Sequence, residues 1–358
     1  MKVGYVPYSS DLSAPGDYRR FVSFANKHNI SFEIAEFEQE YDVLIVTGAA
    51  DLSKWIEYRN FETIIIFDLI DSYLNYDNFS FNNVLRPIAK FVARKHKKLY
   101  FSYNKLLIRF IKRSNIVVCA SEFQLNLINR YTSYAKLIQD DHSSVIRKVK
   151  RNYGIKNSIK LVWEGLPSNI YHLKYFLPVF NRLAKEYNIE LKIITDSSYK
   201  AYGGLLKKDT KKIIKTFNLC NITFRDWSLE TFSEELIACD IAIVPLLVKD
   251  KLAEGKPNNK ISLLYRHKMP VLYSENAATK NISCKKLKEA SCKSLESFYV
   301  KLKLLISDQE IRKLNAECGF SYFQKKIMKR PPDHEWLEIF EQINVKSRTH
   351  SNYCNKEC

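Results

Sequence analysis

Nine glycines and ten prolines are few for 358 residues, and where they fall excludes several chemistries. No G-x-G-x-x-G array follows a strand and no G-x-x-x-x-G-K-[ST] occurs, which argues against a nicotinamide oxidoreductase and a P-loop enzyme. The eight cysteines form no C-x-x-C and show no Cys/His metal spacing. Cys119 and Cys239 lie in apolar segments, where a thiol acts as a small hydrophobe, and a reduced, cytosolic compartment fits them best. No apolar run reaches the length of a membrane span, and the opening MKVGYVPYSS has no h-region. The expectation is a cytoplasmic protein, soluble or peripheral on the inner face of a membrane. Acidic residues are in deficit: 39 against 57 Lys and Arg, for a net charge of +18. Such a surplus calls for an anionic partner, whether a nucleotide, an acidic lipid surface or nucleic acid.

What is present is an α/β alternation, at a length that makes two domains the default. VLIVT, TIIIFDLI and NIVVCAS are continuous β-rich blocks, as expected of strands covered by helices on both faces. Strands are expected at Val3–Pro7, Phe32–Phe37, Val43–Thr47, Thr63–Leu69 and Ile116–Ala120, with helices between them. The alternation dissolves over 141–158 and restarts at Ile159. It continues through helix Ile170–Tyr187, strand Glu190–Thr195, helix Leu205–Phe217, strand Ile222–Arg225, helix Leu229–Cys239 and strand Ile241–Leu247. The reading is two Rossmann-like, doubly wound parallel domains (1–140 and 159–320) joined by a linker and facing a cleft. Helices over 321–344 are expected to pack back on the first domain, and 345–358 to be a flexible tail.

The segment from Ile241 to Tyr273 carries the most chemistry. A buried strand ends in a loop, Lys256-Pro257-Asn258-Asn259-Lys260 opens a helix, and Met269-Pro270-Val271 re-enters as strand. Free backbone N–H groups, the positive end of a helix dipole and two ammonium groups then meet at the carboxyl end of a parallel strand, as a phosphate site requires. Asn258 or Asn259 is the expected N-cap. The alternative is a solvated basic loop. Gly165, in WEGLPSN, follows a strand and precedes a helix, where a missing Cβ lets backbone approach phosphate. Glu275, just past the strand after Pro270, is either a ligand contact or a surface acid.

In the first half Asp17 is either the N-cap of the first helix or a carboxylate serving as general base. Arg19 and Arg20 follow it and could hold an anionic group. Asp68 and Asp71 end an otherwise apolar strand, where an acid needs a partner or a function. From Val84 to Arg113 ten Lys or Arg and no acid accompany apolar residues at helical spacing. That pattern suits a basic amphipathic helix docking on an anionic membrane, or a domain helix with a basic outer face. No nucleic-acid-binding module is recognisable, so a nucleic-acid partner is not expected.

Three segments give the chain a resemblance to a known class: VGYVPYSSDLSAPGDYRRF, LVWEGLPSN, and the strand–KPNNK–helix–MPV unit. The whole chain resembles the GT-B nucleotide-sugar glycosyltransferases, in particular the family 4-like bacterial enzymes that build surface polysaccharides. Family members often carry two glutamates eight residues apart; here Glu254 is followed by Ser262, and Lys268 stands in the usual Gly position. The chain looks instead like the subgroup with a Lys-x-x-x-Lys pair. The resemblance implies a nucleotide-sugar donor bound by Gly165, Lys256, Asn258, Asn259, Lys260 and Glu275. It implies a saccharide or lipid-linked acceptor held by Arg19 and Arg20, with catalysis by Asp17, Asp68 or Asp71. No metal and no cofactor are expected: lysines neutralise the pyrophosphate, and no Asp-x-Asp occurs. The competing expectations are a sugar-nucleotide epimerase or hydrolase, and a non-catalytic membrane- or nucleic-acid-binding protein on the same scaffold.

Overall fold

The computed structural model describes residues 1–354 apart from 61, 76–87, 89, 90, 93, 95, 101, 202–205, 220, 248 and 249. The chain divides into two compact units, Met1–Asp141 with Ile327–Cys358, and His142–Lys326.

The first unit is built on β1 (Val3–Val6), β2 (Glu33–Ile34), β3 (Val43–Thr47), β4 (Ile64–Leu69), β5 (Ile116–Cys119) and β6 (Ala135–Leu137). They form one parallel sheet in the order β2-β1-β3-β4-β5-β6. The order reverses between β1 and β3, so the carboxyl ends of those strands open a crevice of the kind where α/β sheets bind ligands. Every residue of β3 is buried, because helices cover both faces. On one face Leu106, Leu107, Phe110 and Ile111 of the Tyr103–Arg113 helix pack against Leu44, Val46 and Phe67. On the other, Phe21 and Phe24 meet Trp336 and Phe340 of the closing helix Pro332–Cys354. That helix runs beyond Ile343 through much of the stretch expected to be tail.

The second unit contains β7 (Ile159–Glu164), β8 (Ile189–Ile194), β9 (Ser198–Ala201), β10 (Leu206–Asp209), β11 (Ile222–Arg225), β12 (Ile241–Val244), β13 (Val271–Ser274) and β14 (Ser291–Cys292). Its main sheet is parallel, in the order β11-β8-β7-β12-β13-β14. Renumbered from β7 and leaving out the β9–β10 hairpin, this is the 3-2-1-4-5-6 order of dinucleotide-binding folds, with its switch point between β7 and β12. Residues 142–158 lie on this unit. Lys150 donates to the carbonyls of Ile237 (3.1 Å) and Cys239 (2.7 Å), and its N–H reaches His267 O at 2.8 Å.

Three elements depart from expectation. Helix Ile170–Tyr187 is two helices, Ile170–Tyr175 and Leu177–Ala184, because Pro178 occupies the first turn of the second. The expected helix Leu205–Phe217 begins only at Thr210: Leu206–Asp209 pairs antiparallel with Ser198–Ala201, and Asp209 caps the helix by accepting from Lys212 N–H at 3.1 Å. The basic stretch 84–113 is not one helix. Its residues 84–87, 89, 90, 93, 95 and 101 lie outside the described residues, Arg94 has φ = 54°, 96–100 are non-helical, and the helix proper starts after the Ser102 cap. Its apolar side faces the core of the first unit, so that face is closed to a bilayer.

Candidate donor site and the carboxyl edge of the first sheet

The turn after β7 and the loop after β12 meet at the switch point of the second sheet. Gly165 leaves β7 with its N–H on Ile194 O (3.3 Å) and its carbonyl accepting from Thr195 Oγ1 at 2.6 Å. A Cβ at Gly165 would stand 2.5 Å from Lys260 Nζ and 2.9 Å from the Trp163 ring, so only glycine lets the lysine lie against this turn. Lys260 sits in the first turn of the helix Asn259–Arg266. It crosses the Trp163 ring at 5.3 Å, donates to Glu164 O and lies 3.6 Å from Glu164 Oε2. Lys256 approaches the other end of the same turn and donates to Asn169 Oδ1 at 3.0 Å. Two ammonium groups therefore bracket the Glu164–Asn169 segment beside a helix N-terminus, an arrangement suited to an anion.

The supports are equally specific. Asn258 is the N-cap residue, but its side chain makes no cap bond; its Nδ2 donates to Ala278 O at 2.8 Å, and the expected side-chain capping gives way to that contact. Asn259 is the first helical residue. Asn276 is buried and donates to the carbonyls of both Ala253 and Lys256, each at 3.1 Å, so the Lys256 turn is tied to the segment after β13. Glu275, beside it, is half-buried, with its N–H on Cys292 O at 2.8 Å. His172, 1% exposed, sits under Lys256, with Nε2 3.4 Å from Nζ. Burial and the nearby Lys256 pull its imidazole down to about 3, so the ring is neutral at physiological pH.

In the first unit the carboxylates fare differently. Asp17 is fully buried and is not a cap, since Ala14 occupies that position. Oδ1 accepts from Tyr5 OH (2.7 Å) and Tyr8 N–H (2.8 Å), and Oδ2 from Ser9 N–H and Ser9 Oγ (both 3.0 Å). Four donors match the four lone-pair sites of a carboxylate and leave none for an acceptor hydroxyl. Asp68 is likewise buried, held by Arg20 Nε (2.9 Å to Oδ2) and Nη2 (2.7 Å to Oδ1). Arg20 also donates to Ile138 O (2.8 Å) and Asp140 Oδ1 (3.1 Å), so it is consumed inside the fold and does not face a ligand. Arg19 is 8% exposed and donates to Tyr18 OH at 3.0 Å, above that ring. Asp71, past the end of β4, is half-buried; it accepts from Tyr73 OH at 2.8 Å.

No protein-family model and no curated protein matches the sequence. Solved structures do match. HepE of Anabaena, in complex with UDP and glucose, aligns with TM-score 0.63 and 12% identity over 95% of this chain and 99% of its own. The fold is GT-B. A glycosyltransferase of Rickettsia africae aligns with TM-score 0.55 and 12% identity over 96% of this chain and 98% of its own. TarM of S. aureus, in a complex containing UDP and alpha-GlcNAc-glycerol, aligns with TM-score 0.56 and 13% identity over 84% of this chain. There the present chain spans about half of the longer protein, 55% of its length.

On this GT-B frame, several site residues carried no sequence signal. His172, Asp250 and Asn276 are common residue types with no motif around them, and Asn169 was visible only as the end of WEGLPSN. Only the return of the loop after β12 to the turn after β7 brings Asn169 and His172 to Lys256, and His172 to Asp250. Glu164 was visible as part of WEGLPSN, but not as the residue whose carbonyl and carboxylate both receive Lys260.

Proposed function

We propose that this chain is a glycosyltransferase that moves a sugar from a nucleotide-sugar donor to a saccharide acceptor. The observation that carries the reading is the pair Lys256 and Lys260 bracketing the Gly165 turn at the switch point of the second sheet. As the glycosidic bond to the nucleoside diphosphate breaks, negative charge gathers on the departing phosphate. Fixed ammonium groups and helix-terminal N–H donors stabilise that charge more in the transition state than in the ground state. The two lysines supply the charge that a divalent ion supplies elsewhere, so the reaction is proposed to be metal-independent. The carboxyl edge of the first sheet is assigned to the acceptor. Asp71 is the preferred carboxylate there, because Asp17 is saturated by its own donors and Asp68 is enclosed with Arg20. A lipid-linked acceptor, a role in polysaccharide assembly and a cytoplasmic, membrane-peripheral location complete the reading. They draw support from the exposed Ile88, Phe91, Val92 and Leu99 beside Arg94, Lys97 and Lys98.

A thermal-shift screen with UDP, GDP, ADP and CMP is the first test: at least one should raise the midpoint, and silence from all four favours a non-catalytic scaffold. With the donor found, Lys260→Ala is expected to lower transfer by roughly 10²-fold, as for loss of one charge stabiliser. EDTA should leave wild-type transfer unchanged. Undiminished turnover in Lys260→Ala would remove the donor-site assignment.

A further inference from the structure

His172 is placed between two groups that can only donate. On one side Leu247 N–H points at Nδ1 from 3.1 Å; on the other Lys256 Nζ lies 3.4 Å from Nε2. A neutral imidazole has one acceptor nitrogen and one N–H. The backbone amide cannot give up its proton, so Nδ1 is the acceptor and the ring proton sits on Nε2. Lys256 and Nε2–H then face each other as two donors, and their contact is not a hydrogen bond. Protonating the ring does not resolve the conflict, because a proton on Nδ1 would oppose Leu247 N–H. Burial already keeps the ring neutral. Asp250 Oδ2, at 3.9 Å from Nε2, is beyond hydrogen-bond reach and already accepts from Tyr171 OH.

An acceptor oxygen lying beside Nε2–H and Lys256 Nζ would turn this donor–donor contact into a shared hydrogen-bonding site. We infer that His172 Nε2–H and Lys256 Nζ form a two-donor notch for one oxygen of a diphosphate, with His172 a binding and positioning residue of the donor site. The inference rests on the donor-site reading above and adds to it a neutral donor that the lysine pair alone does not supply. Nδ1 does a second job: it fixes Leu247, and with it the start of the loop that carries Lys256. The ring thus sets where the lysine stands and adds a hydrogen bond to the same phosphate. Asn169, whose Oδ1 receives one N–H of Lys256 at 3.0 Å, restrains the ammonium from the opposite side.

The test combines titrations of UDP and of inorganic pyrophosphate with a nitrogen spectrum of ¹⁵N-histidine-labelled protein. Wild type should show His172 as the neutral tautomer protonated on Nε2, and that N–H should shift when UDP or pyrophosphate is added. His172→Phe should weaken both ligands at least tenfold, whereas His172→Gln, which keeps one acceptor and one N–H donor, should recover most of the loss. Near-ultraviolet circular dichroism checks that each variant is folded. If UDP binds wild type, yet binds His172→Phe within twofold and leaves the ring signal unmoved, the notch is refuted and the donor site stands. Should no nucleoside diphosphate bind while pyrophosphate binds and depends on His172, the notch stands and the nucleotide reading falls. Silence from nucleotides and pyrophosphate alike overturns both.

Discussion

The arginines that the sequence presents as a pair, Arg19 and Arg20, show how burial reassigns a charge. Arg20 has no exposed side-chain surface and holds two carboxylates, Asp68 at 2.7 Å and Asp140 at 3.1 Å, with Asp68 itself fully enclosed. Burial pushes the carboxyl of Asp68 up, and the Arg20 guanidinium opposes that rise by favouring its charged form. A charge pair so enclosed is costly to break, because the survivors are left without compensation. Arg20→Met is therefore expected to destabilise by about 3–5 kcal/mol. Adding Asp68→Leu should return part of that loss by removing one uncompensated acid. Urea unfolding of the single and double variants measures both, and a single variant within 1 kcal/mol of wild type, on the order of a surface pair, would show the triad to be dispensable. Lys260 is the opposite case. Its side chain keeps 27% exposure, and it stands over a glycine that leaves room for it, so its charge is placed at the surface of the turn.

At the scale of elements, the apolar blocks were legible because a strand covered on both faces must be apolar along its whole length, and VLIVT is buried at every position. The edges were less so: β2 was expected over Phe32–Phe37 but pairs only at Glu33–Ile34, and β6 and the β9–β10 hairpin, short and partly or fully exposed, carry no pattern imposed by burial. The hairpin in particular depends on pairing with residues across a connection, which a local helical period in the same letters does not reveal. The closing helix shows what packing adds. Trp336 is 1% exposed among Phe21, Phe24 and Phe340, while its Nε1 has no hydrogen-bond partner among the described residues. Its contribution is therefore one of volume. Trp336→Ala should cost about 3–5 kcal/mol, whereas Trp336→Phe, which loses no hydrogen bond, should cost less than about 1.5 kcal/mol. Equal losses in the two, by chemical denaturation, would mean that the indole N–H matters after all.

For the molecule as a whole, the net charge of +18 exceeds what the two lysines of the proposed donor site need. Part of the surplus lies beside exposed apolar side chains at Ile88, Phe91, Val92 and Leu99. No described helix is long and apolar enough to cross a membrane; the proposed encounter with lipid is one made at the surface. Such adsorption adds roughly 1 kcal/mol for each basic side chain near anionic headgroups and decays within a Debye length. The full chain should therefore float with phosphatidylserine-containing vesicles at low salt and dissociate in 0.5 M salt, where the Debye length is about 4 Å. Failure to float at low salt removes the membrane contact from the proposed function. Phe91→Ser with Val92→Ser should weaken flotation without altering nucleotide binding, since both side chains lie in the first unit.

The sequence by itself determined the alternation of strand and helix, the two parallel sheets and the KPNNK turn, because apolar period and turn chemistry are properties of neighbouring residues. Tertiary structure alone decided the roles of the polar groups. Asp68 lies 48 residues from Arg20, Asp140 lies 120 from it, and His172 lies 84 from Lys256. A carboxylate reads the same in sequence whether it ends exposed in a crevice or saturated in a core. Which of these it becomes depends on the donors that the chain returns to it, and those are fixed only when distant strands align.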